Sequence, residues 1–254
     1  MYQSENNKFI VGDARKLDIP SDSIDLIITH PPYLDIDVER YKGDPQKQIN
    51  FGHSQIDMLS MLVKSTKEME RVLKPNGSIF ICIGDQRAMP YLYLTKVLKK
   101  TKLHYLGFTT WDYNVPHSFL ETMNGSQVLW FHLARSSSHL PFNQNIKKRD
   151  WGLGPGVNNN IGQLLDQELE KEGVGFLLDT YPIGLAHKFI QLYTRPGDTV
   201  LDPFGGSGVT AQAAIENKRN FITNDISEEM NKSAQKRIEL YSNNPTKYGT
   251  LRLM

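Results

Sequence analysis

Two short stretches of the 254-residue chain carry residue types at a spacing that could do chemistry. The first is Asp202-Pro203-Phe204-Gly205-Gly206-Ser207-Gly208, with Asn224-Asp225 further on. Glycines allow a tight turn and let backbone approach a ligand closely. A helix opening after the turn offers unpaired N–H groups at its N-terminus. Asp225, at the end of the next strand, can accept both hydroxyl hydrogens of a ribose. Gly206, Gly208 and Ala211 satisfy the loose pattern G-x-G-x-x-A, weak evidence by itself. No Gly-Lys-Ser/Thr follows, which argues against a phosphate-gripping loop. Asp202, just before the turn, would repel a pyrophosphate but not a cationic amino-acid end. S-adenosyl-L-methionine has a sulfonium, an ammonium and a ribose and no phosphate, and it is the expected cofactor. The plainer reading is a glycine turn needed only for packing. Asp13, in Val11-Gly12-Asp13-Ala14, is a third acid at a strand end. It reads either as an acceptor for an adenine amino group or as a simple turn former.

The second stretch is His30-Pro31-Pro32-Tyr33, at the carboxyl end of an apolar strand, where open α/β sheets bind their ligands. Two prolines remove backbone donors and stiffen the turn, so carbonyls there stay free to face a substrate. Tyr33 presents a flat face for stacking. A neutral imidazole accepts one hydrogen bond and titrates near neutral pH. An acceptor, a free carbonyl and an aromatic plate together suit an amino group on a heterocyclic base. The plainer reading of His30 is a ring that packs beside the cofactor.

These stretches must be positioned by strands and helices in alternation. Apolar runs predict strands near 8–11, 23–29, 78–83, 199–201 and 220–223, and an antiparallel pair near 103–112 and 127–133. Helical spacing predicts helices near 55–73, 89–100, 182–193 and 209–217, and a last one capped by Ser227. Lys74-Pro75-Asn76-Gly77 reads as the stop after the first helix, and 34–53 as a mobile polar loop. Such alternation means a parallel α/β sheet. The glycine-rich strand–turn–helix unit lies near the C-terminus with one strand after it, so the rest of the sheet must come from the N-terminal half. The expected fold class is therefore α/β, a circularly permuted doubly wound Rossmann-like sheet with an antiparallel edge pair. Residues 1–135 would form the half with the HPPY turn and 179–254 the cofactor-binding half. Residues 136–178 would form a small insert with one short helix near 161–172.

The two motifs together resemble those of the permuted β type of amino-group DNA methyltransferases, which act on cytosine N4 or adenine N6. The resemblance extends over Val11 to Asp13, Ile24 to Tyr33, Arg71 to Gly77 and Pro182 to Leu240. It implies a site-specific S-adenosyl-L-methionine-dependent enzyme of restriction-modification or orphan modification type. Its catalytic residues would be His30, Pro31, Pro32 and Tyr33. Its cofactor residues would be Asp13, Ala14, Asp202, Pro203, Phe204, Gly205, Gly206, Ser207, Gly208, Asn224 and Asp225. The family usually has Asp, Asn or Ser where His30 stands. A larger side chain leaves room for the smaller base, which tilts the expectation slightly to cytosine N4. His30 and the Pro31 carbonyl would accept the two amino hydrogens, returning the nitrogen lone pair from the ring for attack on the methyl group. The base would be flipped from double-stranded DNA onto Tyr33. No covalent intermediate is needed, in keeping with the one cysteine, Cys82, in the mid-strand setting Ile-Cys-Ile. Methylation at cytosine C5 needs a thiolate and is excluded.

Composition bounds the rest. Hydrophobic residues are 39% and charged residues 22%, which excludes whole-chain disorder. Twenty-nine basic against 28 acidic residues give a net charge of +1, so any nucleic-acid site must be a local patch. Lys147-Lys148-Arg149, inside the insert where such enzymes place target recognition, is the strongest basic run. It reads equally well as a phosphate contact or as a solvated loop. One cysteine excludes a disulfide framework, and the scattered histidines predict no metal. His187 reads as structural. No leader and no membrane span are visible, so a cytoplasmic protein is expected. The chain has no spare length for a nuclease domain, so a restriction endonuclease would be a separate partner. The resemblance also leaves a homodimer open. The rival readings are an RNA base amino-methyltransferase, a nicotinamide-dependent oxidoreductase and a non-catalytic cofactor-binding module.

Overall fold

The computed structural model describes residues 5–32, 54–83, 89–112, 127–138, 167–174 and 180–250. The expectations for Tyr33, for the loop 34–53, for Lys147, Lys148 and Arg149, and for most of 136–178 fall outside those residues. Of the helix expected within the insert, residues 167–171 are described and helical.

Seven strands form one sheet in the order β1-β7-β6-β2-β3-β5-β4. They are β1 (Lys8–Val11), β2 (Ile24–Thr29), β3 (Leu73–Ile83), β4 (His104–Asp112), β5 (Gln127–Ala134), β6 (Thr199–Asp202) and β7 (Asn220–Asp225). The helices are α1 (Gln55–Val72), α2 (Met89–Lys100), α3 (Ile183–Tyr193), α4 (Val209–Glu216), α5 (Glu228–Asn243) and the single-turn α6 (Pro245–Tyr248). β1, β7, β6, β2 and β3 are mutually parallel. β5 is antiparallel to both β3 and β4, so it alone runs against the others. Strands from both ends of the chain thus meet in one sheet, as the order of the motifs implies.

The sheet is buried on both faces because side chains alternate across a strand. On one face Ile27, Ile79, Ile81 and Leu201 pack under Leu62, Met69 and Val97 of α1 and α2. On the other face Leu26, Ile28, Phe80 and Cys82 pack under Ala186, Phe189 and Ile190 of α3 and Ala213 of α4. Cys82 is 1% exposed, as the Ile-Cys-Ile setting suggests. Capping follows the local rules: Ser54 Oγ accepts from Asp57 N–H at the start of α1, and Ser227 Oγ from Met230 N–H at the start of α5.

Two boundaries differ from expectation. Lys74-Pro75-Asn76-Gly77 does not separate a helix from a strand, because β3 already begins at Leu73. Ile24 pairs with Leu73 and Leu26 next pairs with Ser78, so the four residues form an outward irregularity inside β3, with Pro75 and Asn76 exposed. Gly77 sits closely packed there, since a Cβ would lie 2.5 Å from Leu73 Cδ1 and 3.0 Å from the Asp25 carbonyl oxygen. β7 also runs on through Asn224 and Asp225, held by pairing with Ile10 and Val11 of β1.

His187 is structural. It is fully buried in α3, with Nδ1 accepting from Asn217 Nδ2 (2.6 Å) and Nε2 2.8 Å from Thr250 Oγ1. Thr250 Oγ1 donates to Glu216 Oε2 (2.8 Å), so the Nε2 proton has a partner in the Thr250 oxygen. This chain ties α3, α4 and the C-terminal segment together.

Candidate functional site

The carboxyl ends of β1, β7, β6 and β2 lie side by side and carry Gly12-Asp13, Asn224-Asp225, Asp202 and Thr29-His30. From β6 the chain moves through α4 to β7 on one side, while β2 leads to β3 on the other. The strand order therefore reverses between β6 and β2, the place where open sheets bind ligands. Across this gap Thr29 Oγ1 donates to Asp202 Oδ1 at 2.8 Å. The two chemical motifs, more than 170 residues apart in sequence, are joined by that bond.

The glycine-rich turn has the form its residues predict. Gly206 (φ 49°) and Gly208 (φ 83°) are left-handed, and Gly208 opens α4 with no side-chain cap. Gly205 is demanded by space: a Cβ would lie 1.7 Å from Thr223 Oγ1. Gly205 N–H donates to the Asn224 carbonyl (2.8 Å), which seats the turn on the end of β7. Ser207 is buried and accepts from Arg237 Nη1 of α5 (3.2 Å). The Arg237 Nε donates in turn to Gln212 Oε1 (2.8 Å).

The acids divide into three roles. Asp225 is partly exposed, with Oδ2 accepting from Gly206 N–H (3.0 Å) and Oδ1 from Ser227 N–H (2.9 Å). Burial raises its pKa against those bonds. It holds the turn while part of it stays open to solvent. Asp202 is turned inward and 3% exposed. It accepts from Thr29 Oγ1, from Thr210 Oγ1 (2.5 Å) and from Phe204 N–H (3.1 Å). Its charge lies beneath the turn, whose geometry its three hydrogen bonds fix. Asp13 pairs with Arg15: Nε lies 2.9 Å from both carboxylate oxygens, and Arg15 N–H adds a bond to Oδ1 (2.8 Å). The Arg15 hydrogen bonds hold the Asp13 carboxyl below the usual range. The turn-forming reading of Asp13 thus acquires a concrete partner. Ala14 beside it is buried.

Asn224 is 1% exposed, and its Nδ2 donates to the Gly12 and Pro203 carbonyls, each at 3.0 Å. It clamps the turn after β1 to the glycine-rich turn. The close fit is mutual, since a Cβ on Gly12 would lie 2.8 Å from Asn224 Oδ1. Phe204 packs against the apolar cluster beneath α1 and α2. Pro203 and Pro31 are buried, and His30 and Pro32 are half-buried.

The aromatic and hydroxyl neighbours of these motifs carry no sequence signal. Tyr181 donates to Thr210 Oγ1 (2.5 Å), whose own hydroxyl serves Asp202. Trp130 of β5 and Tyr181 both face the His30 ring, each with centroids 6.2 Å apart. The sheet order brings Trp130 to His30, and the packing of α3 under the same face brings Tyr181.

Asp202 makes a pH-dependent contribution to stability. Burial pushes its carboxyl up to about 6, against the bonds from Thr210, Thr29 and Phe204. An acid whose pKa is raised on folding holds its proton more tightly in the native state. Its contribution is greatest below the ordinary value and is lost as the pH rises through about 6. Asparagine does not titrate. The unfolding free energy of Asp202→Asn relative to the wild type should therefore rise by about 2–3 kcal/mol between pH 4 and pH 7. Urea melts at the two pH values measure it, and a relative stability that falls or stays level contradicts the burial of an ionised Asp202.

A family model described as DNA methylase (N6_N4_Mtase) matches residues 24–236. The chain is 26% identical to the type II methyltransferase M.MjaI of Methanocaldococcus jannaschii, over 92% of this chain and 91% of that protein. It is 26% identical to the DNA adenine methyltransferase YhdJ of Escherichia coli (strain K12), over 95% and 85%. In fold it is similar to PvuII DNA methyltransferase (cytosine-N4-specific), with a TM-score of 0.71 at 18% identity over 98% of this chain and 93% of that one. It is also similar to the M1.HpyAVI–SAM complex, with a TM-score of 0.58 at 21% identity over 91% and 98%.

Proposed function

Because the chain belongs to the N6/N4 DNA methylase family, we propose that it methylates an exocyclic amino group of a base in DNA, with S-adenosyl-L-methionine as the methyl donor. The observation that carries this reading is the Thr29–Asp202 bond, which sets His30, Pro31 and Pro32 beside the glycine-rich turn at the reversal of strand order. A cofactor site and an amine-accepting site need that adjacency.

The residues present fit the cofactor. Gly206 leaves its backbone open, since a Cβ there would meet nothing within 4 Å, while Gly205 and Gly208 let the turn pack closely on Thr223 and Ala234. Asp225 is partly exposed at the end of β7, where a ribose can be held. The buried carboxylate of Asp202 under the turn favours a cation over a phosphate. M1.HpyAVI, similar in fold, is described as a SAM complex. When bound, S-adenosyl-L-methionine supplies a methyl group made electrophilic by its sulfonium. The chain's own residues do the rest. His30 and the Pro31 carbonyl accept the two hydrogens of the target amino group, which returns the nitrogen lone pair from the ring. Pro31 and Pro32 keep that turn stiff, and orientation of this kind can supply several kcal/mol.

Cytosine N4 is the preferred target, because the imidazole of His30 is larger than the Asp, Asn or Ser usual in this position and leaves room for the smaller base. PvuII methyltransferase, similar in fold, is described as cytosine-N4-specific, whereas the relative YhdJ is described as an adenine enzyme. Incubation with labelled S-adenosyl-L-methionine and unmethylated genomic DNA, followed by nucleoside mass spectrometry, tests both levels. N4-methylcytosine is expected. N6-methyladenine would overturn the base assignment and keep the class. Label absent from DNA but present in RNA under the same conditions would overturn the DNA reading.

A further inference from the structure

The hydroxyls and carboxylate under the crevice form a closed circuit that begins and ends at His30. Thr29, its chain neighbour, donates to Asp202 Oδ1. Thr210, in the first turn of α4, donates to Asp202 Oδ2. Tyr181, just ahead of α3, donates to Thr210 Oγ1. The Tyr181 ring then returns to His30, edge-on at an interplanar angle of 88°. Trp130 completes the corner: it lies at 29° to the His30 ring and meets Tyr181 at 4.9 Å between centroids.

Tyr181 is 5% exposed, so its hydroxyl must be satisfied inside the protein. Its one donated bond fixes the far end of the ring, and the near end faces the imidazole. Asp202 is ionised in this arrangement, accepting from both threonines, and that direction leaves Thr210 Oγ1 with lone pairs for Tyr181. A phenylalanine would keep the ring and lose the anchor. A smaller side chain would open one wall beside His30. Buried hydrogen bonds arranged in a chain reinforce one another, so a shift at either end is opposed by the whole set.

We propose that Tyr181 is a positioning residue for His30: it holds the imidazole in the orientation that meets the target amino group and, through Thr210 and Asp202, ties that orientation to the glycine-rich turn. The proposal rests on the role assigned to His30 in the proposed function. Tyr181 acts through the His30 ring and does not touch the reacting atoms.

The test uses the full chain with Tyr181→Phe and Tyr181→Leu. Three quantities are read: S-adenosyl-L-methionine affinity by calorimetry, kcat and KM on DNA, and the imidazole resonance of His30, assigned by its absence in His30→Asn. Tyr181→Leu should move the His30 resonance and lower kcat about 10- to 100-fold, with the affinity for the cofactor changed less than about threefold. Tyr181→Phe should lie between Leu and the wild type on both readouts. An unmoved His30 resonance overturns the proposal, whatever happens to melting temperature. So does an activity loss matched by an equal loss of cofactor affinity. Should the wild type transfer no methyl group to DNA, the proposed function fails, and the resonance still decides whether Tyr181 positions His30.

Discussion

His30→Ala should lower methyl transfer to DNA by about 10²- to 10⁴-fold, the range associated with a positioned acid–base group, while S-adenosyl-L-methionine binding stays within about threefold of the wild type. The split follows from where His30 stands. It is half-buried at the carboxyl end of β2, on the far side of the Thr29–Asp202 bond from the glycine-rich turn. Alanine removes the side-chain acceptor and leaves the Pro31 carbonyl and the whole turn in place. His30→Asn, which restores an acceptor of the kind usual at this position in the family, should recover much of the loss. The pH profile separates the two acceptors. An imidazole accepts a hydrogen bond only when neutral, so the wild-type rate should fall on the acid side with a limb that His30→Asn lacks. Single-turnover rates on DNA across pH, with calorimetry alongside, are the measurement. A His30→Ala rate within threefold of the wild type would remove His30 from the chemistry.

Gly205→Ala should abolish measurable cofactor binding, a loss of at least about 100-fold, and destabilise the fold by about 1–3 kcal/mol through overpacking. The added Cβ would lie 1.7 Å from Thr223 Oγ1 and 3.1 Å from Thr223 Cβ. Thr223 is 2% exposed in β7, between two strands, and has nowhere to retreat. The turn must therefore lift. Lifting it strains the Gly205 N–H bond to the Asn224 carbonyl and the Gly206 N–H bond to Asp225. Those bonds hold the turn against the end of β7. The double variant Gly205→Ala/Thr223→Ala removes the colliding hydroxyl and should recover part of both stability and binding. Calorimetry with S-adenosyl-L-methionine and urea melts of the four proteins close the cycle. An additive result, with no recovery, would locate the defect elsewhere in the turn.

Much of this architecture is legible in the chain as written. Apolar runs such as 26–28 and 79–83 specify strands buried on both faces, and their side chains do alternate between two helix layers. Glycine at 206 and 208 announces a tight turn, because a residue without a Cβ adopts left-handed backbone at no steric cost. The late position of Asp202 to Gly208, with one strand after it, requires that the N-terminal half complete the sheet. Local signals mislead where a tertiary partner overrides them. Lys74-Pro75-Asn76-Gly77 has the composition of a turn, yet pairing of Leu73 with Ile24 starts the strand before it. Asn224 and Asp225 read as a strand end, yet β1 holds them in the sheet.

Which way each acid points is decided by the tertiary structure alone. Asp13, Asp202 and Asp225 all stand at strand ends and look alike in sequence. One pairs with Arg15, one is buried under three donors, and one stays partly exposed beside the turn. The neighbours of His30 belong to the same class of fact. Trp130, Tyr181 and Thr210 stand at no telling spacing from it or from one another. Trp130 meets it because β5 lies beyond β3 in the same sheet, Tyr181 because α3 lies under the same face, and Thr210 joins through Tyr181 and Asp202 because β6 packs beside β2. Periodicity and turn chemistry act over a few residues and are written into the chain. The assembly of a site from segments more than a hundred residues apart depends on the strand order, which no local signal encodes.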